Sequence, residues 1–367
     1  EPQDRDLRIR YRVDGLLREV MTVPRSIRTA AVSRIKILAG LDIAERRRPQ
    51  DGRAKFVVDG APVEARVSTL PTLHGEKVVI RLLPPASSVP SLAELGLDEP
   101  QHQMLCQALG RNQGLVLITG PTGSGKTNTL YAAIQHLSTP ERNIVTLEDP
   151  VEVQVAGITQ VQVHERAGMT FARGLRSILR QDPDVILVGE MRDQKTAEIG
   201  MRAALTGHLV LSTLHTNDAI STPIRLLDMG VPRYMVALSL QLVLAQRLIR
   251  LICPHCSQAH TPAPHEHAWL TSLATQDELA GAQLRRGRGC AECNQTGYIG
   301  RTGIYEFIEM TRELVDALNH GEPATFTQAA RRQMAGHTLA RDALRLVLEG
   351  RSTVEDAMRI GNMVEES

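Results

Sequence analysis

The feature that most constrains this chain is the run Gly120-Pro121-Thr122-Gly123-Ser124-Gly125-Lys126-Thr127, which follows the apolar segment LVLIT (115–119) and precedes a segment of helical spacing. Glycines at these intervals let successive backbone N–H groups close around a phosphate chain, and the positive end of the next helix adds to the attraction. The pattern GxxxxGK[ST] between a strand and a helix is a P-loop, and it requires a parallel sheet to carry it. Three more apolar runs supply that sheet: IVTLE (144–148), VILVG (185–189) and LVLST (209–213), with helix-length segments between them. Runs apolar on both faces belong to buried parallel strands, so residues 91–252 are expected to form a doubly wound α/β core.

In such a sheet the carboxyl ends of the strands share one crevice. IVTLE ends at Glu148-Asp149, VILVG leads into Glu190, and LVLST ends just before His215, while His208 flanks its other end. Carboxylates at those ends suit a water-coordinated Mg²⁺ and the polarisation of an attacking water. Lys126 suits the β- and γ-phosphates, and the Thr127 hydroxyl suits Mg²⁺. A carboxylate taken alone reads equally as a helix cap or an ion pair, and a lone histidine as a packed side chain; it is their recurrence on three strands that carries the reading. Arg66 and Arg81 sit in strand-like stretches, Arg173, Arg176 and Arg180 on an expected helix, and Arg192 just after Glu190. Guanidinium groups are the usual counter to charge spread over a phosphoryl-transfer transition state, although each arginine alone also reads as a surface ion pair.

On either side of this core the composition changes. Residues 1–85 alternate as short strands (LRIRYRV, 7–13) around one helix, Ile27 to Leu38, with a turn signal at Val58-Asp59-Gly60, and a Pro- and Ser-rich linker is expected at 86–90. Beyond the core, Cys253-Pro-His-Cys256 and Cys290-Ala-Glu-Cys293 offer four thiolates, with 33 residues, 257 to 289, between the pairs. That interval is longer than in common zinc ribbons, yet closure entropy grows slowly with loop length, so a structural Zn²⁺ on Cys253, Cys256, Cys290 and Cys293 is expected. Cys106 has no partner and reads as a small core residue. From about Thr311 the spacing is that of amphipathic helices.

Charge and composition narrow the function. Lys and Arg number 42 against 41 Asp and Glu, and aromatics make up 3%. The first 85 residues hold 17 basic and 11 acidic groups, and the remainder 25 and 30. An even balance with few stacking rings argues against a nucleic-acid translocase. A scaffold that binds ATP without hydrolysing it is the other alternative. No apolar run is long enough for a bilayer span; the best, Leu238 to Cys253, is interrupted by Arg247 and Arg250. The chain starts at Glu1 with neither an initiator Met nor a signal-peptide pattern, so an upstream segment is expected.

Together these residues resemble a known family. GPTGSGKTNTLY (120–131), IVTLEDPVE (144–152), RQDPDVILVGEMRD (180–193) and TGHLVLSTLHTNDA (206–219) are similar to the Walker A, Asp box, Walker B and His box of the secretion ATPases. RVDGLL (12–17), LDIAERRRPQDGR (41–53), RVSTLPTLHGEKVVIRLL (66–83) and the two Cys pairs resemble the GspE/PilB branch, which serves type II secretion and type IV pilus extension. The tail LVDALNHGEPATFTQAA leans toward MshE-like ATPases of MSHA-type pili.

The resemblance implies a PAS-like second N-terminal domain over 1–85, a RecA-like P-loop NTPase core over 91–252, a tetracysteine zinc element over 253–308 and a C-terminal helical region over 309–367. It implies a homo-hexameric ATP-hydrolysing motor, cytoplasmic and peripheral at the bacterial inner membrane, acting on a platform protein of GspF/PilC type. An absent far N-terminal domain would dock to a membrane-anchored adaptor of GspL/PilM type. By the same resemblance Gly120 to Asn128 bind nucleotide, Glu190 acts on the water, and Glu148 and Asp149 support metal or water, with the choice of general base between the two glutamates left open. Arg66, Arg81, Arg176 and Arg192 approach the nucleotide; independently of the resemblance, a histidine beside a γ-phosphate can report hydrolysis to a subunit interface, which makes His208 and His215 candidates for that role. Asn128 stands where a Ser- or Thr-type residue is usual, one position past the Mg²⁺ ligand.

Overall fold

The computed structural model describes residues 1–83, 85 and 89–365, so the expected linker lies outside the described residues at 86–88. Two compact units are present: residues 1–89 together with 152–154, and the rest of the chain from Pro90.

The first unit contains β1 (Asp6–Val13), β2 (Leu16–Pro24), α1 (Arg25–Leu38), β3 (Gln50–Val58), β4 (Ala61–Thr72) and β5 (Gly75–Leu83). Asp14-Gly15 and Asp59-Gly60 turn the β1–β2 and β3–β4 hairpins, all four residues at positive φ, the backbone that a two-residue hairpin loop demands. On the sheet β3-β4-β5, Ala54, Ala65, Val67 and Thr69 form the buried face. The alternate face carries Arg66, directly opposite Arg53 on one neighbouring strand and Arg81 on the other. Like charges placed opposite one another work against sheet pairing. Below, Lys36 of α1 is 1% exposed, paired with Glu76, and donates to the Glu45 carbonyl at 2.7 Å.

The second unit begins with α2 (Glu99–Leu109) and continues through β6 (Gly114–Thr119), α3 (Lys126–Leu137), β7 (Ile144–Glu148), β8 (Thr159–Gln162), α4 (Phe171–Ile178), β9 (Val185–Val188), α5 (Gln194–Leu205) and β10 (Leu209–Leu214). Next come α6 (Ser221–Asp228), α7 (Arg233–Ser239), β11 (Leu240–Ile252), β12 (Ser257–Ala259), α8 (Pro264–Leu273), α9 (Gln276–Ala280), β13 (Arg285–Gly287) and β14 (Tyr298–Glu309). Four helices finish the chain: α10 (Arg312–His320), α11 (Pro323–Met334), α12 (Leu339–Leu348) and α13 (Val354–Glu365).

The central sheet has the order β14-β11-β6-β10-β9-β7-β8. Every pairing is parallel except β11 with β14. All residues of β6, β7, β9 and β10 are buried, because helices cover both faces. Leu117 is 0% exposed at the centre, and truncating it to Ala costs about 2–5 kcal/mol by lost transfer energy and the cavity left.

One boundary differs from the sequence reading, which gave 253–308 wholly to the zinc element. From Tyr298 the chain is β14, whose register with β11 runs from Ile252↔Tyr298 to Leu242↔Glu309, so it completes the core sheet. The sheet gains an antiparallel edge strand that no local pattern announces as part of a fold begun about 180 residues earlier, at β6.

Candidate active site and metal centre

The loop between β6 and α3 is shaped by glycine. Gly120, Gly123 and Gly125 have φ of 146°, 82° and 92°, the left-handed region where a side chain is strained. At Gly120 space forbids one as well, since a Cβ would stand 2.5 Å from the Gln246 carbonyl and 2.6 Å from Ser124 Oγ; one on Gly125 would stand 2.8 Å from Gln246 Nε2. The floor of the cradle is therefore Gln246-Arg247 of β11. Ser124 Oγ is buried inside the loop with no hydrogen-bond partner among the described residues, an orphan that a phosphate oxygen would satisfy.

Lys126 turns back into the loop, donating to the carbonyls of Gly120 at 2.7 Å and Pro121 at 3.0 Å. Burial pushes its ammonium down to about 8; Glu190 pulls it upward and Arg247 pushes it further down. An anionic ligand in the cradle would relieve both penalties. Thr127 follows half-buried at the start of α3, and Asn128 is exposed beside it.

Across the crevice, Glu190 lies just past β9. Its Oε1 is paired with Arg192 and its Oε2 stands 3.6 Å from His215 Nε2, while Arg192 also reaches Asp149 at 3.9 Å. Glu190 is 16% exposed and Arg192 59%. Burial, then the charge of Lys126, holds the His215 imidazolium below its ordinary range against the pull of Glu190, so the ring is neutral at pH 7. Lys126, Asp149, Glu190, Arg192 and His215 thus form one electrostatic group. Crossed hydrogen bonds clamp the strand ends beneath it: Met191 N–H to the Thr213 carbonyl at 3.1 Å, Thr213 Oγ1 to the Gly189 carbonyl at 2.7 Å, and Thr216 N–H to Thr119 Oγ1 at 3.0 Å.

The two acidic strand ends differ. Glu148 is 4% exposed and accepts from Tyr131 Oη at 2.5 Å, Thr146 Oγ1 at 2.5 Å and Gln160 Nε2 at 3.2 Å. Three donors hold that carboxylate between α3 and β8, whereas Glu190 faces the open crevice. His208 is a correction. It precedes Leu209, whose register partner is Gly114 at the amino end of β6, and its Nδ1 lies 3.1 Å from the Ala203 carbonyl. The whole of β10, about 20 Å, separates it from the crevice of its own subunit. Arg176 stands exposed on α4, and Arg66 and Arg81 lie in the first unit. Sequence reasoning missed Gln246 and Arg247, although a polar pair inside an apolar strand-like run was their visible signal.

The oxygen donors at this end of the sheet (Thr127, Asp149, Glu190) suit a hard divalent cation such as Mg²⁺. The cysteines make a different site. The Sγ atoms of Cys253, Cys256, Cys290 and Cys293 all lie within 4.8 Å of one another. Three of the separations are 3.8, 3.9 and 3.6 Å, and a tetrahedron with Zn–S of about 2.3 Å has edges of about 3.8 Å. Burial pushes the Cys256 thiol up to about 11, whereas for Cys293 the N–H groups of Cys290 and Gly297, each 3.2 Å away, outweigh burial and bring it down to about 6. The long interval between the pairs is closed by β12 and β13, where Ser257 pairs with Gly287. Between them lie α8, which packs Trp269 and Leu270 onto the core, and α9, which packs Leu279. The donor set fits a structural zinc ion.

The family model described as type II/IV secretion system protein matches residues 1–359. Type II secretion system protein E of Pseudomonas aeruginosa is 48% identical over 360 residues, 98% of this chain and 71% of that protein. The type IV pilus assembly ATPase PilB of Myxococcus xanthus is 46% identical over 365 residues, 99% of this chain and 64% of that protein. Among solved structures, the pilus retraction motor PilT with bound ADP aligns at a TM-score of 0.65 and 27% identity, covering 97% of this chain and 92% of that one. The Legionella pneumophila ATPase DotB shares the fold at a TM-score of 0.69 and 22% identity, over 97% of this chain and 91% of its own. By these matches and by its ordered boxes, the chain belongs to the type II/IV secretion system protein family, in the branch of type II secretion protein E and PilB.

Proposed function

We propose that this secretion and pilus-assembly ATPase hydrolyses ATP through a division of labour between its acidic strand ends. The triphosphate lies in the 120–125 loop; Lys126 exchanges its two loop carbonyls for the β- and γ-phosphates, and Ser124 gains a partner. Thr127 and the acidic groups would hold Mg²⁺, which would supply charge neutralisation on the phosphates. Glu190 takes a proton from water as its oxygen bonds to the γ-phosphorus; the bond to the β–γ bridging oxygen breaks, and ADP and inorganic phosphate leave. Arg192 and neutral His215 hold Glu190 in line, Asp149 steadies Arg192, and Glu148 stiffens the crevice wall. Arg66, Arg81 and Arg176 close over nucleotide when subunits assemble, which gives the row Arg53-Arg66-Arg81 a use that outweighs its repulsion.

The observation that carries this reading is the ion pair of Glu190 with Arg192, with His215 Nε2 3.6 Å from its other oxygen, in the crevice of Lys126. The finer picture is a homo-hexamer, cytoplasmic and peripheral at the inner membrane, driving a GspF/PilC-type platform protein and tethered by a GspL/PilM-type adaptor. It is consistent with the relatives' names and with the lack, among the described residues, of any helix long and apolar enough to cross a membrane. Single-turnover hydrolysis tests the chemistry. Glu190→Gln should slow it about 100- to 1,000-fold with ATP still bound, and Glu148→Gln should act mainly on stability; an unchanged Glu190→Gln rate would refute the assignment.

A further inference from the structure

Two charged side chains buried in the second unit have no part in the scheme above. Arg247, 5% exposed on β11, lies under the cradle: its Nη1 would be 3.2 Å from a Cβ on Gly120. Its Nη2 donates to the Asn217 carbonyl at 2.6 Å, in the loop that carries His215, and its Nη1 to the Gln246 carbonyl at 3.2 Å. Among the described residues no carboxylate pairs with it directly, and its buried Nε has no hydrogen-bond partner. Burial lowers its pKa, opposed by the charges of Glu306 and Asp218.

Glu306 on β14 is 3% exposed and joins two distant backbones. Its Oε1 accepts from Ala219 N–H at 2.9 Å, two residues past Asn217, and its Oε2 accepts from Leu339 N–H at 3.2 Å, in the first turn of α12. A carboxylate is the one side chain of this length with two acceptor oxygens, and a glutamine would turn an NH₂ toward one of the two N–H groups. Because folded cores have discrete rather than continuous arrangements, a loop gripped from both sides moves with its grips.

We propose that Arg247 and Glu306 are positioning residues for ATP hydrolysis: Arg247 fixes the His215–Ala219 loop to the glycine cradle, and Glu306 ties the same loop to α12, so that the C-terminal helices follow the state of the phosphate site. The proposal rests on the ATPase reading and extends it. A phosphate in the cradle draws on Arg247 and Lys126 together; any shift of Arg247 pulls the Asn217 carbonyl, and through Ala219 and Glu306 it reaches Leu339. The route is short and covalent or hydrogen-bonded at each link; the Arg247–Asn217 bond is half-buried, and the Ala219–Glu306–Leu339 links are buried, where solvent screens little.

The test compares the full chain with Glu306→Gln and Arg247→Lys. It measures steady-state hydrolysis, ATP affinity, zinc content as a check of folding, and hydrogen exchange in peptides covering 215–221 and 337–341. In the wild type, ATP should slow exchange in both peptides. In Glu306→Gln it should slow only the first, with kcat down about 10- to 100-fold and ATP affinity within a few-fold. Arg247→Lys, which keeps the charge and loses the fork, should lose kcat in the same way. A Glu306→Gln protein with wild-type kcat and ATP protection at 337–341 would overturn the relay while leaving the ATPase reading intact. If the variants do not fold, wild-type exchange decides alone: ATP protection confined to 215–221 refutes the proposal. A wild type that fails to hydrolyse ATP removes the ATPase reading and the relay with it.

Discussion

Asp356 offers the sharpest test of how the second unit is held together. Its side chain is 0% exposed on α13 and accepts from Arg250 N–H at 2.8 Å, Arg250 Nε at 3.0 Å and Arg250 Nη2 at 2.7 Å, with Arg359 Nη2 at 3.0 Å. Arg250 in turn stacks on Tyr298, 4.1 Å from the ring centre. Asp356→Ala strands a guanidinium that is 14% exposed, and breaking a buried pair by removing one partner costs about 3–5 kcal/mol. For a unit of this size that corresponds to a fall in Tm of roughly 5–9 °C. The assay is built in: Trp269 is the one tryptophan, and its Nε1 would stand 3.5 Å from a Cβ on Gly361 of α13, so its fluorescence follows the docking of that helix. Burial raises the Asp356 pKa, but the Arg250 donors outweigh it and hold the group below its ordinary 3.8. A carboxyl depressed in the folded state stabilises above its unfolded value and loses that contribution as pH falls through the folded one. The gap between wild type and variant should therefore stay constant from about pH 7 to 5 and narrow below about 4. The pair Arg250→Met with Asp356→Leu should recover much of the loss, since apolar replacements remove both desolvated charges together. A Tm for Asp356→Ala equal to wild type at pH 7 would refute the reasoning.

Two further outcomes follow from features described above. Reduced, freshly purified protein should contain about one Zn²⁺ per chain by elemental analysis, and Cys256→Ser should lose it and expose residues 253–297 to protease; metal-free, protease-resistant protein would remove the site. Arg81→Gln should lower hydrolysis at least about tenfold while leaving the first unit as stable as wild type or more so, because it relieves like-charge opposition with Arg66; a loss of stability with normal hydrolysis would show the row to be structural.

The parts of the fold legible in the sequence were those where a local pattern and a tertiary environment coincide. Runs such as LVLIT and LVLST are apolar because both faces are covered, and the glycine cradle announces itself because its backbone angles admit little else. Side-chain roles were legible only where neighbours in sequence decide them. Glu148 and Glu190 look alike at the ends of strands, yet Tyr131 from α3 and Gln160 from β8 engage one and leave the other to the crevice. His208 and His215 bracket a single strand, and the strand's own length separates their tasks. β14 was hidden because its pairing partner, β11, lies on the far side of the cysteine insertion.

That long partner strand has one more implication. Gln246 and Arg247 lie under the nucleotide loop, and the same extended segment ends at Cys253, about 23 Å away, where it enters the sulfur cluster. The floor of the cradle, at the middle of this strand, and the sulfur cluster, just past its carboxyl end, are thereby carried by one run of backbone. Demetallation would free the distal end to fray, and the slack would arrive beneath the phosphates.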